Sequence, residues 1–146
     1  MYDSILVATD GSETATVAAE HAIELARQVD GTVDVIAVLE SRTEYDNAIV
    51  DPAEVDRRRR EQATAALEDI SESAADADVP VETEIRTGVP SEEIVAYADE
   101  QGIDAIVIGA RGRSSLRGAL LGSTVDRVVR TAAQPVLVVG GAEPSQ

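Results

Sequence analysis

Gly109-Ala-Arg-Gly112 follows the short apolar run Ala105–Ile108, and after nine intervening residues Gly122-Ser123-Thr124 opens a helical pattern. Glycine lets backbone approach a ligand closely, and a helix start offers N–H groups and a positive dipole end. The same segment reverses the local charge. The chain has 28 acidic residues against 12 basic ones and a formal net charge of −16. Yet Arg111, Arg113, Arg117, Arg127 and Arg130 meet only Asp126 between residues 109 and 130. Glycines, a helix start and local cations together make a phosphate site. Each glycine alone would equally serve a tight strand-to-helix turn, and Ser123 an ordinary helix cap; the full spacing favours phosphate. It is not a Walker A loop, which needs a lysine, and this chain has none.

A second polar group is Asp10, at the end of the strand-like run Ile5–Thr9. Its carboxylate can accept hydrogen bonds from two hydroxyls or approach a metal, and it can also simply close an Asx turn. Arg111 and Arg113 could neutralise a phosphate. His21 is expected on the surface or in the packing of the first helix.

Composition narrows the field. A chain of 146 residues makes one domain, expected over 1–140, with a frayed tail over 141–146. No cysteine is present and there is one histidine, which excludes disulfides, thiolate sites and multi-histidine metal sites. No run is long enough to span a membrane and no signal peptide is evident, so a cytoplasmic protein is expected. Strong negative charge, with no Phe or Trp and 3 Tyr, argues against nucleic acid. All side-chain cations are arginine, which with the acidic balance suggests adaptation to a very salty cytoplasm.

The elements that must position these residues alternate between strand and helix. Ile5–Thr9 is a buried strand, and a helix follows from Glu13 to Val29 with Ala15, Ala18, Ala22, Leu25 and Val29 inward. Val33–Leu39 is a continuous apolar strand, and residues 40–50 form a loop. Asp51-Pro52-Ala-Glu54 starts a long helix to Asp76, with Ala63, Leu67, Ile70, Ala74 and Ala77 inward. Its Arg57–Arg60 run reads as a solvated, ion-paired face. Val81, Thr83 and Ile85 alternate with charge, which marks an edge strand. Ser91 is a candidate cap for the third helix, Gly102 its end, Ala105–Ile108 the fourth strand and Pro135–Val139 the fifth. The expectation is a doubly wound five-stranded parallel sheet, order 3-2-1-4-5, with helices on both faces. Its switch point falls between strands one and four, where Asp10 meets Gly109.

Ile5-Leu-Val-Ala-Thr-Asp10-Gly-Ser12, Gly88-Val-Pro90, the Gly109/Gly112/Gly122-Ser123 frame and Pro135-Val-Leu-Val-Val139 together resemble a universal stress protein. The glycine frame resembles that of the family's ATP-binding branch. The resemblance implies that Gly109, Gly112, Gly122 and Ser123 hold phosphates and ribose, and that Asp10 contacts the ribose. It implies that the Val38 backbone meets the adenine edge, with Ala8, Thr9 and Thr124 nearby. ATP, ADP or AMP would be the ligand, with magnesium accompanying a triphosphate and no metal ligand assigned to the protein. A departure is Ala8, where many ATP-binding members carry proline, so this wall of the pocket is looser. The resemblance further implies a homodimer through the fifth strand, Val136, Leu137, Val138 and Val139.

Two functions compete on these residues. One is a nucleotide-binding regulatory or stress-response protein, and the other a slow ATP hydrolase or phosphotransferase using the same site. The absence of lysine and of any evident base besides Asp10 favours binding. A dinucleotide site would need Gly-x-Gly-x-x-Gly after the first strand, which is missing.

Overall fold

A computed structural model describes residues 2–40, 51–111 and 121–140. Residues 41–50, expected as a loop, Gly112, Arg113, Arg117, and residues 141–146, expected as a tail, lie outside the described residues. The element order is β1 (Ser4–Ala8), α1 (Glu13–Val29), β2 (Thr32–Glu40), α2 (Pro52–Asp76), β3 (Val81–Gly88), α3 (Pro90–Glu100), β4 (Ala105–Gly109), α4 (Ser123–Thr131) and β5 (Val136–Val139). All strand pairs are parallel and the sheet order is β3-β2-β1-β4-β5, as the sequence pattern predicts.

Alternation along the central strands splits the core into two layers. Ile5 and Val7 of β1 join Val33, Val35 and Ala37 of β2 beneath α1 and α2. Leu6, Ile36, Ile106 and Ile108 pack the opposite face against α3 and α4, through Ile94, Tyr97, Ala98, Val125 and Val128. Small residues let α1 lie close to the sheet. Ala18, Ala22 and Ala26 are wholly buried, joined by Ala15, Ala19 and Ile23. Val29, expected inward, is 37% exposed, because the buried stripe ends at Ala26 and the chain turns at Asp30.

Helix ends show how local chemistry places each element. Ser12 caps α1, its Oγ accepting from the Ala15 N–H at 3.2 Å, and Asp51 caps α2 by accepting from the Ala53 N–H at 3.1 Å. Glu54 ion-pairs with Arg57 and Arg58 on the exposed face of α2. Ser91 is not the cap of α3. Val89 holds that position, Pro90 is the first helical residue, and Ser91 is buried inside the helix. Proline already has the helical φ and needs no N–H partner, so the helix starts earlier than the serine suggests. The left-handed residue that closes α1 is Asp30 (φ 60°) rather than Gly31. A Cβ at Gly31 would lie 2.7 Å from the Asp3 carbonyl oxygen, so this glycine serves close backbone packing.

Candidate functional site

Consecutive connections from β1 and β4 leave the sheet on opposite faces, α1 to one side and α4 to the other. Neighbouring parallel strands whose connections diverge in this way open a crevice beyond their carboxyl ends. That crevice holds a cavity of about 140 Å³. Its lining includes Ala8, Thr9, Asp10, Val38, Gly109, Arg111, Gly122, Ser123 and Thr124. These described candidates from the sequence therefore share one cavity, whereas Arg127 and Arg130 of α4 do not line it. Gly112 and Arg113 lie outside the described residues.

Hydrogen bonding fixes the β1 side of the crevice. Thr9 is buried; its N–H donates to the Ile36 carbonyl at 3.0 Å and its Oγ1 accepts from the Gly11 N–H at 3.1 Å. Asp10 does close an Asx turn, one carboxylate oxygen accepting from the Ser12 N–H at 2.9 Å. The turn and a ligand role are compatible, since the two oxygens of a carboxylate offer about four acceptor sites. The β1–β2 ladder ends with the bond from Thr9 to Ile36. Val38, two residues further along β2, directs its backbone groups to the same side as Ile36, past the point where β1 turns away.

The β4 side is shaped by two glycines with different duties. A Cβ on Gly109 would come within 2.8 Å of Thr14 Cγ2 and 3.1 Å of the Thr14 carbonyl oxygen. Gly109 thus lets α1 pack closely over β4. Gly122 is the N-cap of α4 with φ −70° and ψ 160°, an extended conformation open to any residue. Its N–H donates to the Ala110 carbonyl at 2.9 Å, and the Ala110 N–H in turn donates to the Val139 carbonyl at 2.8 Å. A glycine cap carries no side chain, so Gly122 offers the first-turn N–H groups of α4 no capping oxygen of its own. Ser123 and Thr124, the first two residues of α4, line the same cavity.

Apolar and polar residues both line the cavity. Sequence reasoning missed part of the apolar wall, Ile36, Pro90 and Ile94, as well as Ala15 and Glu40. Pro90 had a signal, the Gly88-Val-Pro90 turn. Ile94 carries none beyond helical periodicity, because only the packing of α3 beside β2 brings it to the crevice. Glu40 is tied to α2, its carbonyl accepting from Arg59 Nη2 at 3.0 Å. Among the described residues no cluster of three His, Cys, Asp or Glu could hold a metal ion. No helix among them is long and apolar enough to cross a membrane.

The model of the Universal stress protein family matches residues 1–140. The chain is a universal stress protein. It is 35% identical over 144 residues to universal stress protein MJ0531 of Methanocaldococcus jannaschii, covering 95% of this chain and 82% of that one. The solved structure of MJ0577, another universal stress protein of that organism, superposes with a TM-score of 0.85 at 33% identity, covering 98% of this chain and 99% of its own. Two further solved structures are of complexes with a ligand. A universal stress protein in complex with cAMP has a TM-score of 0.76 and 26% identity, covering 97% of this chain and 99% of its own. The universal stress protein of Archaeoglobus fulgidus in complex with dAMP has a TM-score of 0.70 and 25% identity, covering 94% and 98%. Those relatives thus bind adenine nucleotides on the fold this universal stress protein shares.

Proposed function

We propose that this universal stress protein binds an adenine nucleotide, ATP foremost, across the crevice and acts as a nucleotide-dependent regulatory protein of the stress response. The observation that carries this reading is the convergence on one cavity of Asp10, Val38, Gly109, Arg111 and the glycine-capped start of α4. Phosphates would sit at the α4 N-terminus, where Gly122 and Ser123 present backbone N–H groups and Arg111 adds charge. The base would lie between Ala8, Ile36, Val38, Pro90 and Ile94, reading the Val38 backbone along its edge. Asp10 would take the ribose hydroxyls. Magnesium would come with a triphosphate, held mainly by its oxygens, with Asp10 and Glu40 the carboxylates that line the cavity. The relatives in complex with cAMP and dAMP support adenine as the base.

The test is to denature the purified protein, identify any released nucleotide, and titrate the emptied protein with ATP. Release of an adenine nucleotide and saturable ATP binding are expected. Release of a flavin or dinucleotide, or no binding at all, would overturn the reading. Several turnovers per second, lost on Asp10→Ala, would instead favour an ATP hydrolase or phosphotransferase at the same site.

Three properties complete the proposal. The β5 edge pairs two copies into a homodimer, supported by Leu137, which is 48% exposed on that strand, and Val129, which is 46% exposed on α4. Light scattering should give a dimer. The acidic, lysine-free composition suits a cytoplasm of high salt, so the melting temperature should rise with salt concentration. No nucleic acid or membrane partner is proposed.

A further inference from the structure

One wall of the crevice belongs to a helix that is also gripped from outside the cavity. α3 contributes Pro90 and Ile94 to the cavity, but its flank faces β3, the charged edge of the sheet. There Arg86 of β3 lies across the helix. Its Nη2 meets Glu100 Oε1 at 2.6 Å, its Nη1 meets Glu93 Oε1 at 3.5 Å, and its Nε meets Glu84 Oε2 at 2.6 Å. The guanidinium carbon stands 5.0 Å over the Tyr97 ring. Glu93 and Glu100 are seven residues apart, roughly 10 Å along a helix, so one side chain spans two turns of α3. Arg86 itself is only 18% exposed, and ion pairing with Glu100 and Glu84 holds its proton more firmly than usual. On the helix's inner side the Tyr97 hydroxyl donates to Asp34 of β2.

The clamp reaches the turn that starts the wall. A Cβ on Gly88 would lie 2.7 Å from Glu93 Oε2, so the Glu93 carboxylate rests on the backbone of Gly88. Gly88 has φ 153°, at the margin of the region other residues avoid. Arg86, Gly88 and Glu93 therefore form one unit around the turn into Pro90. Ile94 follows directly on the helix.

We propose that Arg86 is a positioning residue of the nucleotide site, setting the place of α3 and so the width of the apolar wall formed by Pro90 and Ile94. This role rests on the nucleotide reading above. Arg86 does not line the cavity; it acts through Glu93, Glu100 and Tyr97. Its planar fork suits the task, because three carboxylates arranged around one cation need fixed donor directions. Without it, Glu84, Glu93 and Glu100 repel one another and α3 drifts outward.

The experiment compares ATP titration and thermal melting of the parent, Arg86→Met and Arg86→Lys, at a temperature where each is fully folded. Arg86→Met keeps the apolar stem and removes the cation, and should weaken ATP binding on the order of tenfold. Arg86→Lys keeps the charge without the fork and should bind with intermediate affinity. A purely stabilising residue would lower the melting temperature and leave the affinity of the folded protein unchanged. If Arg86→Met fails to fold, Glu93→Gln removes one arm of the clamp and should show a smaller loss of affinity. A folded Arg86→Met or Glu93→Gln that binds ATP as tightly as the parent overturns the role of Arg86 alone. A parent that does not bind ATP overturns the nucleotide reading itself, and this role with it.

Discussion

The two ends of the sheet treat their backbone in opposite ways. At the amino ends of the strands, polar groups are consumed within the protein. Asp104 Oδ2 accepts from the N–H groups of Asp3 and Ser4 at 2.9 and 3.1 Å, and the Ser4 Oγ donates to the Gly102 carbonyl at 3.2 Å. The Thr32 N–H donates to the Asp3 carbonyl at 2.8 Å, and the Asp104 N–H to the Ser4 carbonyl at 2.9 Å. Gly31 is packed so closely on Asp3 that any larger residue would force the backbone to shift. At the carboxyl ends, β1 turns away after Asp10, the groups of Val38 outrun it, and α4 begins on a glycine, which has no side chain to cap it. One end is closed and holds the fold together. The other lines the cavity where we propose that the nucleotide binds.

This contrast predicts that substitutions at the two ends separate stability from binding. The largest effect should come from Gly122→Val. Its φ and ψ suit valine, and the N–H that donates to Ala110 is retained, so melting should change little. A side chain between the backbone and a phosphate should nevertheless cost about a hundredfold or more in ATP affinity, as charge-assisted hydrogen bonds lengthen. Unchanged ATP affinity in Gly122→Val would break the comparison.

Gly31→Val and Gly109→Ala should behave the other way. Each new Cβ meets other atoms within 3 Å, the Asp3 carbonyl oxygen for Gly31 and Thr14 Cγ2 for Gly109. Overpacking of this kind costs about 1–3 kcal/mol. Denaturant titration should show that loss for both. For Gly31→Val, ATP affinity of the folded fraction should not move. Gly109→Ala sharpens the point, because it belongs to the same motif as Gly122 yet should act on stability first.

Tyr97 lies between the two ends and adds a pH dependence. Burial, and then the hydrogen bond to Asp34, push its hydroxyl above the ordinary value of 10.0. The unfolded chain therefore ionises first, so stability is full below pH 10.0 and falls as pH rises beyond it. Tyr97→Phe should remove that alkaline loss. At neutral pH it should cost about 1–2 kcal/mol, since Asp34 loses its donor. Denaturation midpoints measured at neutral and alkaline pH check both parts.

Ser123→Ala should give the smallest effect. It deletes a hydroxyl at the start of α4 and keeps the backbone N–H, so ATP binding should weaken by about 1 kcal/mol with the melting temperature unchanged. A loss as large as that of Gly122→Val would shift the phosphate contact from the backbone to the side chain.

Much of this was already legible in the residues. Periodicity determined the nine elements and their kinds, because continuous apolar runs suit strands covered on both faces and spaced alanines suit a helix lying close upon them. The alternation of charge at Val81–Arg86 put β3 at an edge. The glycine spacing and Asp10 named one cavity from two distant segments, because parallel strands with helical crossovers leave few topologies to choose from. Other features depend on neighbours distant in the chain, and only the tertiary structure decided them. Gly109 and Gly122 look alike in sequence, and what distinguishes them is Thr14, brought over β4 by the packing of α1. Ser91 looks like a cap, yet the turn at Gly88–Val89 starts the helix before it. Ile94 became a wall of the crevice when α3 was laid beside β2, and Arg86 the clamp behind that wall when the same helix met β3. A sequence records which side chains can bury or carry charge; which of them meet is settled by packing.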